Sequence, residues 1–301
     1  PASGAWTTVD EVARLAVVPA VQLLLIRSRS LASGLKLTPT NAGAVAELCR
    51  RLDGLPLALE LAAARLRLLS PEQLLLRMQD RFQWLADAPA GRTAHHQTLG
   101  ALIDWSFALL SEREQALLCA LGVFAGGWTL DGAMTIGTAF EFDEEQTLDL
   151  LGGLVDKSLV AVDASSNPPR YSLLDSVRLF ALARLGKSDD EVRVRRAHLA
   201  HYIDFTAHVD AEVRGERQQL WVERVLREQA NLQAAFDHAL AHEELADDAI
   251  TLCANLCWCF RVQGEYIQAS HGLDSALEAS HVPTLHRARA LIAKGIAYHH
   301  R

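Results

Sequence analysis

No stretch of this sequence is both apolar and long enough to cross a bilayer, although half of its 301 residues are hydrophobic. The most apolar N-terminal run, Leu15 to Ile26, contains Pro19 and is too short for a transmembrane helix. It also lacks the basic start and the small-residue cleavage site of a signal peptide. Five cysteines, an odd number, are scattered through helical patterns, which favours reduced thiols over a disulfide framework. We therefore expect a globular protein of the cytoplasm.

The motifs of catalysis are missing as well. The sequence contains no G-x-x-x-x-G-K-[ST] phosphate-binding loop, and no hydrophobic strand pattern ends in the paired acidic residues of a Walker B motif. A G-x-S-x-G nucleophile elbow is also lacking. We therefore expect no independent catalytic centre, and we do not expect this chain alone to hydrolyse ATP.

Positive charge is scarce in the C-terminal two-thirds of the sequence. The net charge is −8, made up of +3 over residues 1–100, −6 over residues 101–200 and −5 over residues 201–301. Because neutralisation of phosphates by Lys and Arg dominates nucleic-acid binding, this distribution disfavours the C-terminal two-thirds as a nucleic-acid surface.

Two predicted helices meet at residues 53–56. The pair Thr38-Pro39 has the form of a helix cap followed by a first-turn proline, and it predicts a helix from there to about Leu52. Gly54 tolerates the left-handed conformation that ends a helix, and Pro56 suits the first turn of the next one. Spacing alone favours a purely structural corner.

Residues 91–186 have the pattern of a compact mixed domain. Several amphipathic helices come first, and one of them opens with a capping box formed by Ser111 and Glu114. Two short strands, predicted at residues 158–162 and 170–174, flank a turn, and a last helix follows. Helices followed by a hairpin and a final helix predict a winged-helix topology.

The remainder, residues 187–301, is predicted to be helical to its end. Its apolar spacing is similar to that of tetratricopeptide-like hairpins at five positions: Trp258, Gly264, Tyr266, Ala269 and Ala276. Such hairpins stack because none buries its apolar face alone, and their concave side often binds partners. The sequence begins at Pro1 without a methionine and stops inside a helical pattern, so we expect a piece of a longer protein.

Two sets of possible metal ligands lie on predicted helices of this last region: Cys253, Cys257 and Cys259, and His198, His201 and Asp204. Only Cys253 and Cys257 share a helical face, and no second ligand pair completes a tetrahedral site. Surface histidines at helical spacing are common. We therefore favour packing and surface roles for both sets and predict no metal.

Several long strings of this sequence resemble the STAND-class signalling NTPases, which include NB-ARC proteins and AfsR-like and LuxR-associated bacterial regulators. These strings are "LCRRLDGLPLALELAAAR", "HHQTLGALIDWSFALLSEREQALLCALGVFAGGWTLDGA", "LLGGLVDKSLV" and "RYSLLDSVRLFALARL". The resemblance covers roughly residues 20–185. It implies that Pro56 contacts the adenine of ATP or ADP, with Gly54 and Leu55 shaping the corner.

The resemblance fails at one position. Many STAND proteins place a Met-His-Asp string before the last helix of the winged-helix domain, where the histidine touches the β-phosphate. Here Leu174 occupies the histidine position and Asp175 follows it. Leucine cannot donate a hydrogen bond to phosphate, which argues against direct phosphate sensing by this domain. A helix cap is the favoured role for Asp175.

Together these patterns predict a mainly α fold in three parts. Residues 1–90 would be the C-terminal helical part of a STAND nucleotide-binding module, residues 91–186 a winged-helix domain with a short β-hairpin, and residues 187–301 a truncated set of TPR-like helical repeats. The resemblance implies that the full-length parent is a slow NTPase that binds ATP or ADP with Mg, whereas this chain alone is expected to bind no nucleotide tightly.

The predicted function is that of a bacterial ATP/ADP-dependent signal-transduction switch that regulates transcription. Its implied partners are the rest of its own nucleotide-binding domain and a protein or small-molecule effector on the helical repeats. DNA would bind only through a domain absent from this chain, and no membrane partner is expected. Two alternatives stay open: a protein-interaction scaffold with a vestigial nucleotide site, and DNA binding through the winged helix.

Overall fold

The computed structural model describes residues 9–30, 35–52, 54, 56–82, 94–263 and 266–299. The predicted fold class is confirmed, because the described residues are mainly helical with one two-stranded hairpin. In the described ranges, no helix is sufficiently long and apolar to cross a membrane. The chain divides into two compact units. The first comprises Pro1–Leu118, Leu148–Val162 and Leu173–Phe180, and the second comprises Cys119–Thr147, Asp163–Ser172 and Ala181–Arg301.

In the described residues, six helices belong to the N-terminal part of the first compact unit. They are α1 (Val9–Ala16), α2 (Pro19–Ser30), α3 (Ala42–Arg51), α4 (Pro56–Arg65), α5 (Pro71–Phe82) and α6 (Ala94–Ala108). Helix α4 packs against α2 and α6, and α3 packs against α5. The face of α4 that carries Ala58, Leu61 and Ala62 is fully buried. Small side chains on this face allow neighbouring helices to approach closely.

The elements of the winged helix follow in the predicted order. They are α7 (Glu112–Leu121), α8 (Leu130–Thr138), α9 (Glu144–Asp156), β1 (Ala161–Asp163), β2 (Arg170–Ser172) and α10 (Asp175–Leu185). Strands β1 and β2 pair with each other. An antiparallel bridge joins Trp128 to Tyr171 of β2, through two backbone hydrogen bonds of 2.8 Å.

The second compact unit continues with helices α11 (Glu191–Glu212), α12 (Gln218–Arg227), α13 (Gln229–Leu240), α14 (Ala246–Gln263), α15 (Tyr266–Ala279) and α16 (Leu285–His299). A short 3-10 turn, Glu243–Leu245, precedes α14. Helix α11 packs against α8, α13 and α14, and α14 packs against α15 and α16. The tetratricopeptide-like assignment stays a prediction, and its Gly264 lies outside the described residues.

Local capping chemistry explains where several helices begin. The predicted capping box is confirmed: the Ser111 amide donates to Glu114 Oε2 at 2.9 Å, and the Glu114 amide donates to Ser111 Oγ at 3.3 Å. Ser70 and Gln73 make the same reciprocal pair at the start of α5, at 3.0 and 3.2 Å. Each box satisfies two backbone N–H groups that a helix start would otherwise leave unpaired.

The prediction that Thr38-Pro39 opens α3 is wrong. The helix begins at Ala42, three residues after Pro39. The Asn41 side chain explains the later start: its Oδ1 accepts from the Thr38 amide at 2.8 Å and its Nδ2 donates to the Lys36 carbonyl at 2.9 Å. This asparagine therefore holds the preceding residues in a turn and displaces the helix start towards itself.

Candidate functional site

The residues predicted to form the nucleotide corner lie at the junction between α3 and α4. Gly54 has φ +65°, and its amide donates to the carbonyl of Cys49 in α3 at 3.1 Å. Helix α4 begins at Pro56, whose side chain is exposed. Leu55 lies outside the described residues. The contact of Pro56 with a nucleotide stays a prediction.

The predicted sensor position lies at the start of α10. The Leu174 carbonyl accepts from the Arg178 amide at 2.9 Å, so Leu174 is the residue just before the helix, and 47% of it is exposed. Asp175 is the first helical residue and is also exposed. A carboxylate there is favourable for the helix dipole but repels phosphate, and Leu174 has no donor. These two residues therefore do not fit a phosphate site.

Helix α9 follows α8 in the position that the second, DNA-reading helix occupies in helix-turn-helix motifs. Its sequence contains no Lys or Arg. Its exposed residues are Glu144, Glu145, Leu148, Asp149, Gly152 and Asp156. An outward face whose only charges are acidic repels the phosphate backbone. The charge of this helix is therefore opposite to what a DNA-reading helix requires.

The hairpin supplies a single cation, Arg170 in β2, and this cation is engaged within the protein. Its guanidinium forms an ion pair with Glu228, and its Nη2 donates to the Gly126 carbonyl at 3.1 Å. The two side chains of the ion pair are 18% and 9% exposed, so the pair lies largely out of solvent. Arg170 therefore holds the hairpin against the start of α13, where Glu228 lies.

Asn231 of α13 makes the second set of contacts. Its Oδ1 accepts from the amides of Ala125 at 2.7 Å and Gly126 at 3.3 Å. Its Nδ2 donates to the Gly127 carbonyl at 2.8 Å and to Glu228 Oε2 at 2.7 Å. Asn231 is fully buried and uses both its acceptor and its donor group. One side chain therefore satisfies the backbone of three consecutive residues in the turn after α7.

Tyr202 of α11 completes this polar group, which we call the anchor: Arg170, Tyr202, Glu228 and Asn231. The Tyr202 hydroxyl donates to Glu228 Oε2 at 2.7 Å. Burial raises the pKa of Tyr202, and the adjacent Glu228 carboxylate raises it further, so the phenol stays protonated. The anchor lies within the second compact unit and joins the hairpin and the Gly126-Gly127 turn to α11 and α13.

An aromatic cluster lies beside the anchor. Phe124 stacks on Trp128 with ring centroids 5.4 Å apart and meets the His198 ring edge-on at 5.1 Å. His198 also contacts Tyr202, at 4.9 Å. Burial is the largest cause that lowers the pKa of His198, and together with the neighbouring His201 and Arg195 it brings this pKa to about 3. His198 is therefore a neutral core residue.

The two sets of possible metal ligands do not form sites. His198 is inside the core, the ring of His201 lies 3.2 Å from Thr135 Oγ1, and Asp204 is exposed. Among the described residues, no group of three His, Cys, Asp or Glu side chains is placed to hold a metal. The Cys257 thiol donates to the Cys253 carbonyl at 3.1 Å, and burial raises the pKa of Cys257 to about 12. These cysteines are packing residues.

The anchor has only weak signals in the sequence. Glu228 and Asn231 are three residues apart in a helical pattern, which is a weak signal because polar residues are common on helix surfaces. Their partners are about 60 and 105 residues away in the chain. The adjacent glycines Gly126 and Gly127 were the one local signal of a close approach between backbones, and Gly127 does have φ +77°.

Comparisons with known proteins agree with this architecture. Residues 110–186 match the winged helix-turn-helix domain family. Over 282 residues the chain is 37% identical to the "Putative HTH-type transcriptional regulator Rv0890c" of Mycobacterium tuberculosis (strain ATCC 25618 / H37Rv), covering 92% of this chain and 32% of that protein. The Mycobacterium bovis protein of the same description, Mb0914c, gives the same values.

A shorter relative has a higher identity over a shorter stretch of the chain. Over 183 residues the chain is 44% identical to "Uncharacterized protein Rv0894" of M. tuberculosis, covering 60% of this chain and 47% of that protein. The chain therefore spans about a third of the length of the regulators and about half of the shorter protein. With the order of elements described above, these matches establish that the chain carries a winged helix-turn-helix domain over residues 110–186.

Proposed function

We propose that this chain is a regulatory segment of a transcriptional regulator, in which the winged helix packs on the helices that follow it instead of reading DNA. The observation that carries the proposal is the engagement of Arg170, the single cation of the hairpin, with Glu228 of the anchor. The similarity to HTH-type transcriptional regulators along 92% of the chain supports the regulatory role.

Charge supports the same conclusion. Residues 110–186 contain five basic and eleven acidic side chains, a net charge of −6. Each phosphate contact of a DNA-binding protein releases counterions and requires a cation, so a domain of this charge starts from repulsion. In α9 the exposed charges are acidic throughout. A partner of this surface would have to be neutral or basic.

We further propose that the regulator of which this chain would form a part is a nucleotide-dependent switch. An exposed Pro56 ring beside the positive φ of Gly54 supports a contact with adenine. ATP carries one more phosphate group than ADP, and this difference in charge would allow two conformations of the regulator to bind the two nucleotides, each with Mg, with different affinity. Such a switch requires nucleotide and effector to bind the two arrangements with different affinity. Phosphate contacts would come from outside this chain, because Leu174 and Asp175 do not fit them.

Two other functions have support from specific observations. The match to the winged helix-turn-helix family favours DNA binding by residues 110–186. The leucine at position 174 favours a protein-interaction scaffold whose nucleotide site has lost its function. Each alternative gives a different result in the two experiments that follow.

The first experiment is a fluorescence titration of duplex DNA with the chain at 50 and 200 mM salt. We expect no saturable binding stronger than the ~10⁻⁴ M typical of weak non-specific complexes. Binding that weakens steeply with salt and is lost in Arg170→Gln, but not in the matched control Arg217→Gln outside the domain, would support DNA reading and contradict our proposal.

The second experiment is calorimetric titration of ATP and ADP into a longer protein that includes the phosphate-binding region. We expect tight binding that Pro56→Ala weakens by about tenfold or more, whereas Pro71→Ala leaves it unchanged. Pro71 is a good control because it also begins a helix, α5. If the folded protein binds no nucleotide, the switch is excluded and the scaffold alternative is favoured.

A further inference from the structure

A cavity of about 470 Å³ lies within the second compact unit, next to the anchor. Its walls come from the first turn of α8, the hairpin loop, α11 and α12. Cavities of 300–1,000 Å³ are the usual size for small-molecule sites in proteins. This volume is therefore sufficient for a ligand of amino-acid to dipeptide size.

Some of the charged side chains in the cavity wall have a polar partner within the protein, and others do not. Arg170 and Glu228 neutralise each other in the anchor. Glu223, which also lines the cavity, accepts a hydrogen bond from Gln219 at 3.1 Å. Four other charged side chains line the cavity and form no ion pair within the described part of the chain: Asp131, Asp204, Arg224 and Arg227.

These four charges lie on different elements. Asp131 lies in the first turn of α8 and Asp204 on α11, and both carboxylates act electrostatically on His201, which also lines the cavity. Arg224 and Arg227 lie three residues apart on α12, and therefore on one face of that helix. The cavity thus carries two carboxylates on its α8–α11 side and two guanidinium groups on its α12 side.

Aromatic side chains supply the apolar part of the wall. Phe205 and Trp221 have ring centroids 6.3 Å apart, and the Arg224 guanidinium lies over the Trp221 ring at 4.6 Å. The indole N–H of Trp221 is buried and has no acceptor among the described residues. Buried donors are rarely left without an acceptor, so a ligand anion beside Trp221 would accept a hydrogen bond from this N–H group.

We propose that this cavity binds a small zwitterion with an apolar group, such as a hydrophobic amino acid or dipeptide. The ligand ammonium meets Asp131 and Asp204, and its carboxylate meets Arg224 and Arg227. Its apolar group packs against Phe205 and Trp221. The wall has two unpaired carboxylates and two unpaired guanidinium groups. It therefore favours a ligand with one charge of each sign and disfavours a simple anion or cation.

The site would couple to the winged helix through the anchor. Arg170 and Glu228 are part of the cavity wall, so a ligand that changes the position of α11 or α12 also acts on the residues that hold the hairpin. The regulatory role of the ligand rests on the function proposed above, whereas binding of the ligand to the cavity does not. Ligand binding is therefore measured on this chain without nucleotide or DNA.

The test is calorimetric titration of the full 301-residue chain with L-leucine, L-phenylalanine and the dipeptide Leu-Phe. N-acetyl-L-phenylalanine lacks the ammonium and L-phenylalaninamide lacks the carboxylate. The variants are Asp204→Asn and Arg224→Gln in the cavity, with Asp237→Asn and Arg217→Gln as exposed controls outside it. Circular dichroism verifies that each variant is folded.

We expect saturable binding of at least one zwitterion, weakened at least tenfold by Asp204→Asn and by Arg224→Gln and unchanged by both controls, because a hydrogen bond to a charged group contributes about tenfold or more in affinity. The N-acetyl ligand should bind wild type and Asp204→Asn equally, and the amide should bind wild type and Arg224→Gln equally. Absence of saturable binding by all three zwitterions, or binding that neither cavity variant weakens, would overturn the proposal. Either result leaves the DNA and nucleotide experiments unaffected.

Discussion

The carboxamide oxygen of Asn231 accepts a hydrogen bond from the Ala125 amide at 2.7 Å, across 106 residues of chain. This contact ties the turn after α7 to α13, and the same side chain serves Gly126 and Gly127. In Asn231→Ala the buried Gly127 carbonyl and the partly buried hydrogen bonds of the Ala125 and Gly126 amides lose this partner. Each such loss costs about 1–3 kcal/mol, so we expect a total loss of stability of roughly 3 kcal/mol.

Urea denaturation measures this loss, and a second buried asparagine provides the control. Asn255 is 3% exposed and its Nδ2 donates to Thr206 Oγ1 at 3.3 Å. We expect Asn255→Ala to cost about 1 kcal/mol, since one side-chain hydrogen bond is removed. Equal losses for the two variants would show that Asn231 has no special role in holding the turn.

Two glycines in the winged helix should respond in opposite directions to alanine. Gly127 has φ +77°, and a Cβ there would lie 2.6 Å from the Tyr171 carbonyl oxygen. We expect Gly127→Ala to cost about 2 kcal/mol or more, because strained backbone and a backbone clash combine. Gly152 lies in α9 and a Cβ there meets nothing within 4 Å.

For Gly152→Ala we therefore expect a gain of up to about 1 kcal/mol from helix propensity. Melting temperatures of the two variants against wild type measure both effects. A stable Gly127→Ala protein would be incompatible with the close approach of the turn to β2.

His198 should make the chain less stable in acid. Burial lowers its pKa to about 3, against about 6.5 for an ordinary histidine. Between these values the unfolded state binds a proton that the folded state does not, so stability falls as pH decreases from 6.5 towards 3. Between pH 6.5 and 4.5 the loss is about 2–3 kcal/mol at 1.36 kcal/mol per pH unit.

Urea denaturation at pH 7 and pH 4.5 isolates this contribution when wild type is compared with His198→Leu. The variant should lose about 2–3 kcal/mol less than wild type between the two pH values. His208→Leu, at an exposed position, is the control. The prediction fails if His198→Leu shows the same pH dependence as wild type.

The capping box of α7 gives a prediction of smaller size. Ser111→Ala removes the hydroxyl that accepts from the Glu114 amide at 3.3 Å, and we expect a cost of about 1 kcal/mol. Ser111→Thr keeps an acceptor at that position and should cost much less. Thermal denaturation distinguishes the two, and an equal cost would indicate that the hydroxyl makes no contribution.

Local features of the fold could be predicted from the sequence, and non-local ones could not. The Ser111–Glu114 box, the hairpin and the start of α4 at Pro56 depend on residues close in the chain. The start of α3 is also local, but it differs from the one that Thr38-Pro39 predicts, because Asn41 competes with that signal through side-chain hydrogen bonds to the backbone.

The candidate sites follow the same division. The corner at Gly54 and Pro56 could be located from the order of residues, because a helix end and a helix start are local events. The anchor and the cavity depend on contacts between the hairpin, α11 and α12, which only the fold brings together. No sequence pattern indicates that Arg170 forms an ion pair with Glu228, which lies 58 residues further along the chain.

We propose that the winged helix is held by the helices that follow it and does not bind DNA. Amide hydrogen exchange with and without saturating duplex DNA measures both properties at once. We predict slow exchange at Ala125 and Gly126 in wild type, fast exchange in Asn231→Ala, and no change on adding DNA. Slower exchange of α9 and the hairpin in the presence of DNA would contradict the claim.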